Sequence, residues 1–566
     1  MTQRLIIPDT GVLLMTNMPK ITQKCRITGK PFVVTEWEQA HLEKFGMPLP
    51  TLCAEERLRR RLAHRNERRL YKSICALTGK PIISIYSPDK PFKVYSQEAW
   101  WGDSWDAKDY GVDYDFSRPF FEQFADLQKK VPVLCLMNKN GVNSDYCNIT
   151  LNNKNCYLVF GGDYNEDCMY SVFSMHSRNM ADVYWVNKSE LVYDSVNCLH
   201  CYGIRYCEDC QNCSDSSFLF ACRNCQNCFA CVGLVAKQYC IWNKQYSREE
   251  YEKTIKQFRS DTWSGVQYTK EVFEKFKLNF PHKCRTIVNC ENCTGDQISN
   301  AKNCTDSFYF EGPAEDCKDV FIGGYNAKDI MSSDHVGHDS ELFYEMLGSI
   351  RGHHNALCRF SWCSGNTYYC SFVDNCSNLF GCISMKRAEY CILNKQYTKA
   401  EYEELLPRII NHMKSTGEWG EYFPIETSQF AYNETVANDF FPMTREEVLK
   451  KGYKWFDEKN TPPEKLNIPD SIRDAKDDIL TANLMCEKTG RPYKIIKSEL
   501  DLYRKMEIPI PHYAPETRNE LRIAKLNPLK TFDRTCAKCG MSIQTSYKPE
   551  NPAIIYCEKC YLEIIY

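Results

Sequence analysis

The stretch CLHCYGIRYCEDCQNCSDSSFLFACRNCQNCFAC, residues 198–231, sets nine cysteines in 34 positions. Two interleaved series run through it: Cys198, Cys210 and Cys222, and Cys201, Cys213 and Cys225, each stepping by twelve. Asn or Asp stands just before several of these cysteines, and short β-prone runs flank them at 157–160, 170–173, 183–186 and 218–220. Similar runs recur at 308–310 and 320–322, separated by Asn/Asp/Gly turns. Short strands at even spacing predict a parallel β-solenoid, a parallel β-helix-like fold with a coil of 12 or 24 residues. Its narrow interior suits a small polarisable cysteine better than leucine. An antiparallel meander of hairpins is the alternative.

The pattern occurs twice. Shifting the chain by 151 residues places Cys225, Cys231 and Cys240 on Cys376, Cys382 and Cys391, and QYCIWNKQY on EYCILNKQY. Each copy ends in a capping box, Ser247 with Glu250 and Thr398 with Glu401, that opens an amphipathic helix. A shift of 461 aligns the two ends: Cys25-Arg-Ile-Thr-Gly-Lys-Pro meets Cys486-Glu-Lys-Thr-Gly-Arg-Pro, Asn66 meets Asn527, and Cys75 meets Cys536. The expected fold is therefore mainly β with helical connectors: two tandem Cys-rich β-solenoid halves flanked by ribbon-like terminal modules. The boundaries are a degenerate ribbon module with an Arg-rich helix (1–102), a helical linker (103–143), solenoid half one (144–246), an amphipathic helix (247–283), solenoid half two (284–397), a helical linker through Thr461-Pro462-Pro463 (398–480) and a ribbon module (481–566).

Cys536-x2-Cys539 and Cys557-x2-Cys560 form two knuckles offering four thiolates, the donor set of structural zinc. A closed four-cysteine site leaves no position for substrate, so its expected role is folding. The N-terminal equivalents are Cys75, Thr78, Ser96 and Ala99, which should not hold zinc, and Cys25 with Cys53 reads as the remnant of another pair. For the central cysteines, interior packing is expected. Zinc between coils, held by Cys198, Cys201, Cys210, Cys213, Cys222 and Cys225, is one alternative. An iron–sulfur cluster at 207–213 and a disulfide ladder are others. His335, His338, His353 and His354 read as a polar loop rather than metal ligands.

With 33 cysteines, an oxidised secreted framework would want a signal peptide, which MTQRLIIPDTGVLLMTNMPK does not provide; a reduced cytoplasm is expected. Lys plus Arg (71) nearly balance Asp plus Glu (73), so charge selects neither nucleic acid nor membrane, and no run is apolar enough to span a bilayer. The local exception is 55–72, with Arg57, Arg59, Arg60, Arg61, Arg65, Arg68 and Arg69 on an amphipathic helix carrying Leu58, Leu62 and Leu70. Forked guanidinium donors suit phosphates, so these arginines are candidate nucleic-acid contacts. No P-loop, GxGxxG, GxSxG or HExxH motif occurs.

The phrases RNERRLYK, LTGKPIISIYSPDKPFKVY, DFSRPFFEQFADL, NKNCYLVF, YCIWNKQYS and CAKCG…YCEKCY, taken together, resemble a family of uncharacterised Cys-rich zinc-ribbon/β-solenoid proteins from candidate-phyla (Patescibacteria) bacteria. The resemblance implies CxxC-rich terminal modules. Here Thr28, Glu56, Thr78, Ser96 and Ala99 stand where a second cysteine is expected. It implies no activity. The expected function is a non-catalytic, zinc-binding scaffold docking RNA or a ribonucleoprotein. The alternatives are a protein–protein scaffold or surface factor using the solenoid face, and a metal-dependent or redox enzyme using the central cysteines.

Overall fold

The computed structural model describes residues 19–458 and 467–565; the connector at Thr461-Pro462-Pro463 and the first eighteen residues lie outside the described residues. The protein is mainly sheet with helices, and its largest sheet has ten strands, from Ile287–Val288 to Lys395–Gln396. All but the last pairing in that sheet are parallel, which excludes the hairpin meander. The first half forms two four-stranded sheets, again parallel except for a closing hairpin at Cys240–Ile241 and Lys244–Gln245.

In the first half the register steps by twelve: Val186 pairs with Cys198, and Leu199 with Gln211, which pairs in turn with Arg223. The period is therefore 12 residues rather than 24. In the second half it is twelve from Glu341 through His353, Gly365 and Ser377 to Glu389, and thirteen between Ala314, Ala327 and Ser340.

Backbone dihedrals explain why cysteine recurs. From Asn197 to Ala230 every third residue has a positive φ, including Asp209 (53°), Asn212 (52°), Asn224 (54°) and Gly203 (62°). That left-handed conformation is tolerated best by Gly, Asn and Asp, which accounts for their place before the cysteines. The residue that follows each turns inward: Cys198, Cys201, Ile204, Cys207, Cys210, Cys213, Ser216, Leu219, Cys222, Cys225, Cys228 and Cys231 are all buried. One inward side chain per three residues leaves room for a small apolar group, and sulfur fills it. Outside, the left-handed asparagines form a ladder: Asn197 donates to Asp209 at 3.0 Å, and Asn212 to Asn224 at 3.1 Å.

Two helices dock in a crossed arrangement. Helix Ala54–Leu62, near the N-terminus, packs on strand Ala327–Gly337 of the second half, while Pro515–Ile523, near the C-terminus, packs on Arg178–Asn187 of the first. The 461-residue repeat carries the contacts with it. Arg57 meets Glu38 (3.6 Å) and Asp319 (3.1 Å); its equivalent Arg518 meets Glu499 (3.1 Å) and Asp182 (3.3 Å). Arg61 meets Asp334 (2.5 Å), and its equivalent Arg522 meets Asp182 (2.9 Å).

This corrects the reading of the arginine helix as a nucleic-acid face. Arg57, Arg60, Arg61 and Arg65 are buried, and Arg60 pairs with Glu421 (2.7 Å) and Glu345 (3.2 Å) while Arg65 pairs with Glu67 (2.5 Å). Arg59, Arg68 and Arg69 are partly exposed, yet each is paired, with Glu56, Asp439 and Glu458. A guanidinium already desolvated against the chain's own carboxylate cannot reach a phosphate without opening the interface.

Candidate metal centre

The C-terminal module builds its site on a short hairpin, Phe532–Thr535 with Ser542–Thr545. At its tip Cys536 accepts from Gly540 N (2.9 Å) and donates its own N–H to Met541 O (2.8 Å). Gly540 takes the φ of 73° that this turn requires. The second knuckle follows strand Ile554–Tyr556, and helix Glu558–Ile565 starts directly after Cys557. Parallel pairing of Ile554–Tyr556 with Pro281–Lys283 ties the module to the chain that leads into the second half.

The Sγ atoms of Cys536, Cys539, Cys557 and Cys560 all lie within 4.8 Å of one another, and Cys539 and Cys557 are 3.9 Å apart. Four sulfurs at ~2.3 Å from one ion would form a tetrahedron with edges of about 3.8 Å. The site can therefore hold a metal ion with little rearrangement. Cys539 is exposed and the other three are buried. Burial raises the Cys536 thiol, but amide donors from Cys539, Cys557 and Lys538 outweigh it and bring the pKa to about 6. Such a thiol is prepared to act as a thiolate donor.

Three further copies of the knuckle are present, each with the same backbone frame. Gly29 donates to Cys25 O, Gly79 to Cys75 O and Gly490 to Cys486 O, as Gly540 does to Cys536 O. The amide after each cysteine reaches the strand or loop before the second half-site: Arg26 to Thr51 O, Ala76 to Val94 O, Glu487 to His512 O and Ala537 to Ile555 O. Hydrogen bonds replace ligands in these copies. Ser96 N donates to Cys75 Sγ at 3.3 Å, as Cys557 N does to Cys536 Sγ, and Cys486 Sγ meets Thr517 Oγ1 at 3.6 Å. Among the described residues only the Cys536 group offers three or more convergent donors.

The other candidates do not converge. Cys198, Cys201, Cys210, Cys213, Cys222 and Cys225 are buried free thiols arrayed along the interior, not gathered about a point. Cys210, for example, touches Cys198, Cys207, Cys213 and Cys222, one neighbour on each side. The spacing of three that suggested ligand pairs is the spacing of inward positions. No disulfide joins the cysteines of the described residues. His335 is buried against Phe173 and Phe321, His338 stacks on Tyr325 at 4.8 Å, and His354 bonds Asn366 and Tyr368. Among the described residues no helix is long and apolar enough to cross a membrane. No protein-family model matches the chain, and no curated protein matches its sequence.

Proposed function

We propose that the chain is a non-catalytic scaffold: two β-solenoid halves with coils of 12 or, in part of the second half, 13 residues, locked into one body by crossed terminal modules, the last of them a zinc ribbon. The observation that carries this reading is the use of its charged groups. The arginines of both docking helices are spent on carboxylates of the opposite half. The thiols outside the C-terminal cluster are mostly interior filling. Zinc is the ion that four thiolates with knuckle spacing suit best, and its role there is to hold the last module folded.

A protein partner is favoured over RNA, because the segment that would have met phosphates faces inward. Affinity purification from the native host, with and without ribonuclease, tests the choice together with zinc analysis. The scaffold reading expects one zinc per chain and a protein partner that survives nuclease. Loss of every partner on nuclease treatment would instead restore the ribonucleoprotein reading.

A further inference from the structure

Between the two halves, helix Trp263–Lys277 and the C-terminal module lies a cavity of about 180 Å³. At roughly 30 Å³ per water it has room for about six water-sized groups. Its charged lining is unbalanced: Glu208, Asp209, Glu274 and Asp296 against Lys277 and Lys525, or 2 − 4 = −2. Both lysines are already committed, for Lys525 donates to Glu208 at 2.7 Å and Lys277 at 3.0 Å, so an anion finds no free cation here.

The unspent groups are acceptors. Asp209 receives only neutral amides on Oδ1, from Asn197 (3.0 Å) and Gln297 (3.2 Å). Asp296 receives the Thr286 and Gln297 amides (2.7 and 2.9 Å) and the Ser546 hydroxyl. Neither carboxylate has an ion-pair partner among the described residues, and the buried Asn197 Oδ1 has no donor. No third carboxylate, His or Cys converges with the two, so the arrangement suits an organic cation rather than a chelated metal.

Under the repeats, part of this lining is replaced elsewhere by packing groups. The 151- and 461-residue repeats put Phe360 at the position of Asp209, Ile85 at that of Ser546 and Tyr86 at that of Tyr547. Those three are buried apolar or aromatic residues. Asp209 and Ser546 thus stand where the repeats elsewhere place buried apolar groups, while the equivalent of Asp296 is again an aspartate, Asp145.

We propose that this cavity binds a small organic cation, an ammonium or guanidinium compound of about six heavy atoms, through Asp209 and Asp296. Burial, opposed by the Asn197 amide and assisted by Asp296 and Glu208, lifts the Asp209 carboxyl to about 7. A cation would supply the missing counter-charge. Arg223 donates to the carbonyls of Asp209 and Cys222 rather than to the Asp209 carboxylate, and His282, Tyr547 and Tyr309 face the cavity as further polar groups.

The experiment is calorimetric titration of the full chain with putrescine, at several pH values. One saturable site is expected, with affinity rising about tenfold between about pH 6 and pH 8 as Asp209 ionises. Asp209→Asn should lose tenfold or more. Gln297→Lys, which places an ammonium beside Asp209, should abolish binding while keeping the fold, and it decides the matter if Asp209→Asn fails to fold. Absence of saturable binding to folded wild type, unchanged affinity in both variants, or a preference for magnesium over putrescine would overturn the proposal.

Discussion

Glu208 accepts from Lys525 at 2.7 Å at the register position where the second half sets Arg359 against His64 at 3.0 Å. The positions are equivalent under both repeats, since 208 plus 151 is 359 and 64 plus 461 is 525. The ion pair of one half is replaced in the other by a guanidinium against a histidine that burial holds neutral, while the frame has been kept. Each half pins its terminal module through one such contact, and each recruits a third group, Lys277 in one case and Gln128 in the other.

Burial alone would raise Glu208, but Lys525 and Lys277 outweigh it and hold the carboxyl at about 2. A depressed folded-state value gives stability that is present above the unfolded value near 4.5 and is lost as pH falls toward about 2. Lys525→Met should therefore destabilise the protein by roughly 1–3 kcal/mol at neutral pH. The difference from wild type should shrink below about pH 4, where the bared carboxyl protonates. Urea unfolding at a series of pH values checks this, and a difference independent of pH would contradict it.

The buried arginines of Ala54–Leu62 make a second prediction. Arg61→Met leaves Asp334 buried with its closest counter-ion removed and should cost about 3–5 kcal/mol. The matching change Arg522→Met should act on the first half by a similar amount, because Asp182 is equally enclosed. Charge reversal of Arg60, Arg61 and Arg65 to Glu should undo module docking altogether. Limited proteolysis would then release the N-terminal module, whereas a fully resistant triple variant would show that these pairs hold nothing.

Metal content separates the two kinds of cysteine. Cys557→Ala should abolish bound metal and loosen the last module, leaving the parallel sheets intact. Cys222→Ala should keep the metal and lose about 1 kcal/mol of core packing. Cys222→Leu should cost more, roughly 1–3 kcal/mol, because the inward position has no room for the extra methyl groups. Elemental analysis of the three proteins, alongside their unfolding midpoints, gives the comparison; loss of metal in Cys222→Ala would assign a ligand role to the interior.

Much of the frame was legible in the residues. The twelve-residue step of Cys198, Cys210 and Cys222 is the register of the parallel strands, and the Asn or Asp before Cys198 and Cys210 marks the left-handed corner. Chemistry was less legible, because a C-x2-C spacing arises both from a knuckle and from two adjacent corners. What separates them is the neighbouring residue: Gly540 follows Cys539 and closes the knuckle, whereas Asn224 and Asn227 precede Cys225 and Cys228 and carry the positive φ that turns them inward. The inward course of the arginines had no local signal, since Asp319, Asp334 and Glu345 lie 262 to 285 residues away. The cavity was missed for the same reason, its two unpaired aspartates being brought together only by the fold.

The corner positions offer the most direct test of why this sequence takes this backbone. Ala221 holds a φ of 53° and Asn224 one of 54°, on successive corners of the same coil. An alanine in that region is strained by about 1–2 kcal/mol, and glycine is free of the strain while losing about 0.5–1 kcal/mol more in chain entropy. Ala221→Gly should therefore be neutral or stabilise the protein by up to about 1 kcal/mol, against the usual rule that glycine weakens a sheet. Asn224→Ala should go the other way by about 1 kcal/mol, losing both its tolerance for the corner and its acceptor for Asn212. Paired urea titrations with unchanged slopes would read these differences as changes in stability. If Ala221→Gly were instead destabilising by more than about 1 kcal/mol, corner strain would not be what selects Asn, Asp and Gly at seven of the twelve corners between Asn197 and Ala230.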